Sequence, residues 1–369
     1  MRIERIELRL LQLPLVHFFE TSFGRADDKV FILVRLLGDG LEAWGECVAD
    51  ETPYYSAETN DTAWHIITGF LGPALLELDI AHPREVFPAF RAVRGHNMAK
   101  AALEMAAWDL HARREARPLA RVLGGDRARI ASGVSVGIQA SFDELASKIR
   151  GELEAGYRRV KVKIKPGWDV DVVRMVRERF GDIPLMVDAN AAYTLADADH
   201  LAALDAFGLM MIEQPLDYED VSDHARLQRR LSTPICLDES IHSPRVARDA
   251  IDAGACRIIN IKPGRLGGFA ESIAVHDLCA AGGIPVWHGG MLESGIGRVH
   301  NIHLSTLPNF TLPGDVAASK RYFVPDLIEP AVEVAPDGTI AVPTGPGLGV
   351  AVDLDRIAHA TLRLQTLAR

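Results

Sequence analysis

Lys163, Asp188, Glu213, Asp238 and Lys262 recur at intervals of 25, 25, 25 and 24 residues. Each stands at the far end of a short apolar run: Arg159 to Ile164, Pro184 to Ala189, Leu209 to Gln214, Pro234 to Ser240, and Arg257 to Pro263. Amphipathic segments of helix length, such as Val170 to Phe180 and Arg245 to Ala253, lie between the runs. One strand plus one helix fills such an interval, and a series of these units builds a parallel sheet with helices outside. With further runs at Gly133 to Gln139, Ile284 to Gly289 and Asn309 to Pro313, the count reaches about eight strands, which fits a TIM-type (β/α) barrel better than an open sheet. In a barrel the C-terminal strand ends share one rim, where active sites are built. The order around that rim is lysine, three carboxylates, lysine.

Alternation along a strand puts Lys161 and Lys163 on one face and Val160, Val162 and Ile164 on the other, toward the helices. The same rule pairs Asp188 with Asn190. A lone acid or lysine at a strand end is ordinarily a helix cap or a solvated loop residue. One per unit over five successive units is a different pattern. Three carboxylates in a barrel interior repel one another unless a cation neutralises them. An all-oxygen set of Asp188, Glu213 and Asp238 suits Mg²⁺, with Mn²⁺ as a substitute, and no His or Cys joins the set to favour zinc.

The remainder of the 369 residues divides by texture. Residues 1–125 open with strands at Ile3 to Leu13, Lys29 to Leu37 and Glu42 to Ala49, then turn helical up to Leu123-Gly124-Gly125. The Met98 to Arg114 helix carries small residues that allow close approach to a neighbour. Residues 126–320 hold the repeat, and residues 321–369 return to turns and a closing helix expected to pack on the N-terminal region. A net charge of −10 with no basic block argues against nucleic-acid binding. No apolar run is long enough for a membrane span, and the charged start, Met1-Arg2-Ile3-Glu4-Arg5, reads as a strand. Four scattered cysteines, Cys47, Cys236, Cys256 and Cys279, read as reduced thiols of a cytoplasmic protein.

Lys161-Val162-Lys163, Val187-Asp188-Ala189-Asn190, Ile212-Glu213-Gln214-Pro215, Leu237-Asp238-Glu239-Ser240 and Ile261-Lys262-Pro263-Gly264 together resemble the enolase superfamily, in its muconate-lactonizing subgroup. Ala107-Trp108-Asp109-Leu110 and the Pro118-Leu119 to Leu123-Gly124-Gly125 stretch extend the likeness into the N-terminal region. The resemblance implies a modified barrel with an α+β capping domain formed by the N-terminal region and the C-terminal tail. Within the subgroup, Lys165-Pro166-Gly167-Trp168-Asp169, Trp287-His288-Gly289-Gly290-Met291-Leu292-Glu293-Ser294-Gly295 and Pro308-Asn309-Phe310-Thr311-Leu312-Pro313-Gly314-Asp315 are similar to the N-succinylamino acid racemase / o-succinylbenzoate synthase group. Mandelate-racemase-like members use a later His base and lack the second lysine, so His288 reads as structural here. Dipeptide epimerases carry an Asp-x-Asp pair where this chain has only Asp315.

The resemblance implies proton abstraction beside a small-molecule carboxylate through an enediolate. Lys163 and Lys262 are the expected bases on opposite sides, and Lys161 is expected to touch the substrate carboxylate. Dehydration to o-succinylbenzoate, as in menaquinone biosynthesis, and racemisation of N-succinylamino acids are both open to such a site. A cycloisomerase or an epimerase of other N-acylated amino acids is the alternative enzyme, and a silent metal-binding scaffold is the alternative class, disfavoured by two lysines that no scaffold needs. Positive charge from Lys161 and the metal is expected to favour neutral Lys163, and Arg265 to do the same for Lys262. Asn190, with Ser135, Gly290, Met291 and Leu292 by resemblance, completes the substrate contacts. Glu239 and Arg265 are expected behind the ligands. The distal part of the substrate is expected against the His17 to Gly24 loop, with Phe18, Phe19 and Phe23, and against Tyr54 and Tyr55. A homo-oligomer is expected.

Overall fold

A computed structural model describes residues 1–369. The chain opens with three antiparallel strands, β1 (Ile3–Glu20), β2 (Arg25–Gly38) and β3 (Leu41–Cys47). A long helix, α1 (Asn97–Arg114), lies on this sheet. Its small residues Ala102 and Ala106 meet Gly45 of β3, where a Cβ would overlap the Ala102 carbonyl, so this close contact needs glycine.

The expected loop at His17 to Gly24 is mostly strand. β1 continues through Glu20, and only Thr21 to Gly24 form the turn, closed by Thr21 N to Gly24 O at 2.9 Å. Alternation then sends neighbouring rings to different places. Phe19 faces the pocket described below, and Phe18 packs elsewhere, under Arg25 and Lys148.

Seven parallel strands follow in sequence order: β4 (Gly133–Val136), β5 (Arg159–Lys163), β6 (Leu185–Asp188), β7 (Ile212–Glu213), β8 (Ile235–Leu237), β9 (Ile258–Ile261) and β10 (Val286–His288). Val160, Val162 and Ile164 belong to the apolar core shared with the outer helices, as alternation requires. Three helices matter for the site: α2 (Phe142–Glu154) after β4, α3 (Phe269–Ala281) after β9 and α4 (Gly295–Leu304) after β10.

The eighth run is not a strand. Residues 309–315 span the gap between β10 and β4 by isolated bridges, Val286 to Phe310 and Ser132 to Gly314. Gly133 N donates to Gly314 O at 2.7 Å, and Asp315 N to His288 O at 2.8 Å. Pro308 and Pro313 lack the amide hydrogens a ladder needs, which keeps this seam irregular.

The tail also differs from expectation. A short helix, Leu354–Ala360, precedes a last strand, β11 (Thr361–Ala368), that pairs antiparallel with β1 from Arg5–Ala368 to Leu11–Thr361. The alternating Leu362-Arg363-Leu364-Gln365 pattern is that of a strand. No helix is long and apolar enough to cross a membrane.

Candidate active site

The strand register sets the rim. Lys163 stands opposite Asp188, and Asp188 opposite Glu213. Glu213 pairs with Cys236, so Asp238 lies two residues farther along the next strand. All of these side chains, with Lys161 and Lys262, are buried.

Their contacts form two groups of opposite charges, one around Lys161 and Lys163 and one around Lys262. Lys161 Nζ lies 2.9 Å from Glu213 Oε2, 3.2 Å from Asp188 Oδ2 and 2.5 Å from Asp315 Oδ2. Lys163 Nζ donates to Asp188 Oδ2 at 2.6 Å and to Asn190 Oδ1 at 2.7 Å. Lys262 Nζ donates to Asp238 Oδ2 at 2.7 Å and to the Tyr55 hydroxyl at 3.0 Å. Asn190 Nδ2 donates to Glu239 Oε1 at 2.9 Å, and Asn260 Nδ2 to Glu213 Oε1 at 2.6 Å. Lys163 and Lys262 therefore stand at opposite ends of the carboxylate row.

Arg265 sits behind Asp238. Its guanidinium pairs with Asp238 Oδ1, donates from Nε to Ile241 O at 2.5 Å and reaches Asn260 O. Its charge pushes Lys262 down, as expected, but the net effect is the reverse. Burial also lowers Lys262, yet Asp238, Tyr55 and Glu239 outweigh both and hold the ammonium above its ordinary range. Burial favours the neutral form of Lys161, but Asp315, Glu213 and Asp188 outweigh it and hold Lys161 charged.

The acids show the complementary strain. Burial, then the charges of Asp188 and Asp238, push Glu213 up to about 8. Burial, then Asp238 and Asp188, push Glu239 up to about 7. Asp188 is driven the other way: burial raises it, and Lys163 and Lys161 more than reverse that. Burial first, and neighbouring acids second, thus make Glu213 and Glu239 ionise less readily than ordinary carboxyls, and a base there can act only if its own ammonium is given up.

The side chains are turned toward these cations, and no three acid, His or Cys groups converge on a common point. The donor set nevertheless fits a hard divalent cation. Asp188, Glu213 and Asp238 come from adjacent strands, all donors are oxygens, and a cation among them would replace the charge that lysines now supply.

The rim opens into a cavity of about 620 Å³ between the barrel and the N-terminal sheet. Lys163, Asn190 and Lys262 form its floor, with Gly290, Met291 and Leu292 at one side. Phe19, Phe23, Tyr54 and Tyr55 form its upper wall, so of the predicted aromatics only Phe18 is absent. Ser135 does not reach this cavity. It lines a smaller one behind the lysines, with its Oγ buried and unpartnered. His288 is buried and held neutral, its pKa lowered by burial to about 4, and its Nδ1 meets Gly289 O at 2.7 Å. Residues missed from sequence are Arg159, Glu293, Arg298 and Tyr322, with Asp315 in a fuller role than expected. Arg159 Nη1 reaches Asp315 Oδ1 at 2.6 Å, so Asp315 links Lys161 to the barrel seam. Glu293, Arg298 and Tyr322 reach the site from segments outside the 25-residue repeat, whereas Arg159 begins the β5 run and shares the face of Lys161 and Lys163, so the same period of two marks it.

A barrel rim of lysines and carboxylates under an antiparallel cap defines a class, and the chain belongs to it: residues 5–124 match the mandelate racemase / muconate lactonizing enzyme N-terminal domain, and residues 144–356 the enolase C-terminal domain-like family. It is 56% identical over 360 residues to an o-succinylbenzoate synthase of Geobacillus kaustophilus, covering 97% of this chain and 96% of that one. It is 53% identical over 352 residues to an N-succinylamino acid racemase of an Amycolatopsis species, covering 95% of each. An enolase-superfamily protein of Listeria innocua superposes with a TM-score of 0.96 at 40% identity, covering 100% of this chain and 99% of that one.

Proposed function

We propose that this enzyme removes the proton α to a substrate carboxylate, and then either expels water to form o-succinylbenzoate or returns a proton to the other face of an N-succinylamino acid. The observation that carries this is the pair Lys163 and Lys262, at opposite ends of one carboxylate row and on the floor of one cavity. Two bases on opposite faces permit 1,1-proton transfer. Asp188, Glu213 and Asp238 would hold Mg²⁺, or Mn²⁺ in its place. That ion would supply positive charge to the substrate carboxylate as the α-carbon loses its proton.

The chain's own groups do the rest. Lys161, kept charged by its three acids, lines the smaller cavity behind the floor and not the substrate cavity, so its charge would act on the substrate carboxylate from behind the carboxylate row. Asn190 orients Lys163 and is itself held by Glu239. Tyr55 orients Lys262 and closes the cavity above it. The aromatic wall of Phe19, Phe23 and Tyr54 would take the distal part of the substrate and exclude water from the floor. We further propose the unit boundaries 1–125, 126–320 and 321–369, a homo-oligomeric state, a cytoplasmic setting and a role in menaquinone synthesis.

Purified protein with Mg²⁺ should form o-succinylbenzoate and racemise N-succinylamino acids. Loss of neither the α-hydrogen nor optical activity, under metal-replete conditions, would overturn the assignment.

A further inference from the structure

Behind the lysines lies a second, smaller cavity of about 50 Å³. Lys161, Lys163 and Lys262 line it on one side, and Ser135, Arg298 and Tyr322 on the other. A third cavity of about 230 Å³ lies beyond it, beside the end of β4 and the face of α2, lined by Gly137, Lys148, Gly151 and Arg321. Phe19 and Tyr322 belong to the walls of both. Phe19 also borders the substrate cavity. The inner cavity thus shares walls with both of the larger ones, with the substrate cavity through the lysines and with the third through Phe19 and Tyr322.

The inner cavity is polar and leaves hydrogen bonds unmade. Ser135 is 6% exposed and Arg298 is 2% exposed, and neither Ser135 Oγ nor Arg298 Nη1 has a partner. The nearest acid to Arg298 Nη1 is Asp326 Oδ2 at 3.7 Å, which is also unpartnered. Arg321 Nε, on the outer side, is unpartnered too. Buried polar groups without partners cost about 1–3 kcal/mol each, so such groups are ordinarily met by water. A site needs roughly 10–15 Å³ of this space to hold one water, and the inner cavity exceeds that. It is too small for any part of an organic substrate beyond a few atoms.

We propose that the inner cavity is a water passage through which the water made in the dehydration leaves toward the Lys148–Arg321 opening, with Phe19 and Tyr322 as its constriction. The proposal rests on the dehydration assigned above. In that reaction the α C–H bond breaks, its proton passes to Lys163, and the electron pair forms the new C=C bond. The adjacent C–O bond breaks with its electron pair on oxygen, and the departing hydroxide takes a proton from the Lys163 ammonium to leave as water. Lys163 borders both the substrate cavity and the inner one. The water therefore appears at the head of the passage while the organic product still covers the mouth. Racemisation makes no water and has no use for this exit.

Gly151 allows a plug outside the catalytic machinery. It lies on the exposed side of α2, a Cβ there meets nothing within 4 Å, and it lines the outer cavity. Gly151→Trp should lower kcat for dehydration several-fold and leave kcat for racemisation unchanged, whereas Gly151→Ala should leave both unchanged. A high-resolution crystal structure of the wild type should show ordered water on Ser135 Oγ and Arg298 Nη1. A dry inner cavity, equal losses in both reactions, or no loss in either overturns the proposal. Wild-type protein that racemises without dehydrating removes the exit role and leaves the proton abstraction standing, whereas wild-type protein that does neither overturns the functional assignment itself; both are recognised before any variant is made.

Discussion

Lys163 and Lys262 are held by different partners, which makes their roles separable. Asp188 and Asn190 hold the first, and Asp238 and Tyr55 the second. Lys163→Ala and Lys262→Ala should each lower racemisation by about 10²–10⁴-fold, the usual worth of a positioned acid–base group. In D₂O each variant should still exchange the α-proton of one enantiomer, and the two variants should choose opposite enantiomers. Polarimetry and proton NMR check both points, and unchanged racemisation in either variant removes that lysine's role. Asp188→Asn, Glu213→Gln and Asp238→Asn should each abolish activity, and EDTA should do so reversibly, with Mg²⁺ restoring it. Full turnover by metal-free protein would exclude the metal site. These residues were legible in the sequence because each occupies the same place in a repeated unit, and because Lys161 and Lys163 keep a period of two. Tyr322, Arg298 and Glu293 were not legible. They reach the inner cavity from the tail and from the segment after β10, and a contact made across so long a stretch of chain leaves no local periodicity.

At the scale of elements, the cap and barrel are joined by buried carboxylates placed at helix starts. Glu104 of α1 accepts Phe269 N at 2.7 Å and Ala270 N at 2.9 Å, the first amides of α3, and Trp108 Nε1 at 2.7 Å. Glu46 of β3 does the same for α4 through Ser294 N at 3.0 Å and Gly297 N at 3.1 Å. The first turn of a helix leaves amides without intrahelical partners and carries partial positive charge, so an acid there serves both needs. Glu104→Ala should leave three buried donors unmet and cost on the order of 3 kcal/mol, read as a lower urea midpoint with an unchanged slope. A change within about 0.5 kcal/mol, the range of an ordinary surface substitution, would contradict this. The element pattern itself was partly legible. Strand runs and the α1 helix follow from apolar period, whereas the seam at 309–315 looked like an eighth strand because its apolar residues are interrupted by prolines only at the edges. The last strand, β11, is not legible as a strand because its alternation is too short to stand out before its pairing with β1 is known.

Across the whole molecule, His303 binds the three regions together. It lies on α4; its Nδ1 accepts Ala120 N at 3.2 Å, and its Nε2 lies 3.0 Å from Leu348 O in the tail. One ring nitrogen must accept and the other donate, so this arrangement requires the neutral ring. Burial agrees, lowering His303 from 6.5 to about 4. The unfolded chain takes up a proton below about 6.5, and the folded chain does so only below about 4. The contribution to stability is therefore complete above pH 6.5 and is lost progressively as the pH falls toward 4. The linkage amounts to about 2 kcal/mol by pH 5. Glu46 and Glu104 act in the opposite sense. Burial raises each from 4.5 to about 7, so their contribution is complete below pH 4.5 and lost as the pH rises through 7. Because the two effects oppose each other between pH 4.5 and 6.5, the wild-type profile alone cannot assign either. His303→Gln keeps a donor and an acceptor but removes the titration. The advantage of wild type over this variant, taken from urea midpoints, should shrink by about 2 kcal/mol between pH 7.5 and pH 5. Parallel profiles for the two proteins would mean that His303 is not held neutral by its place between cap, barrel and tail.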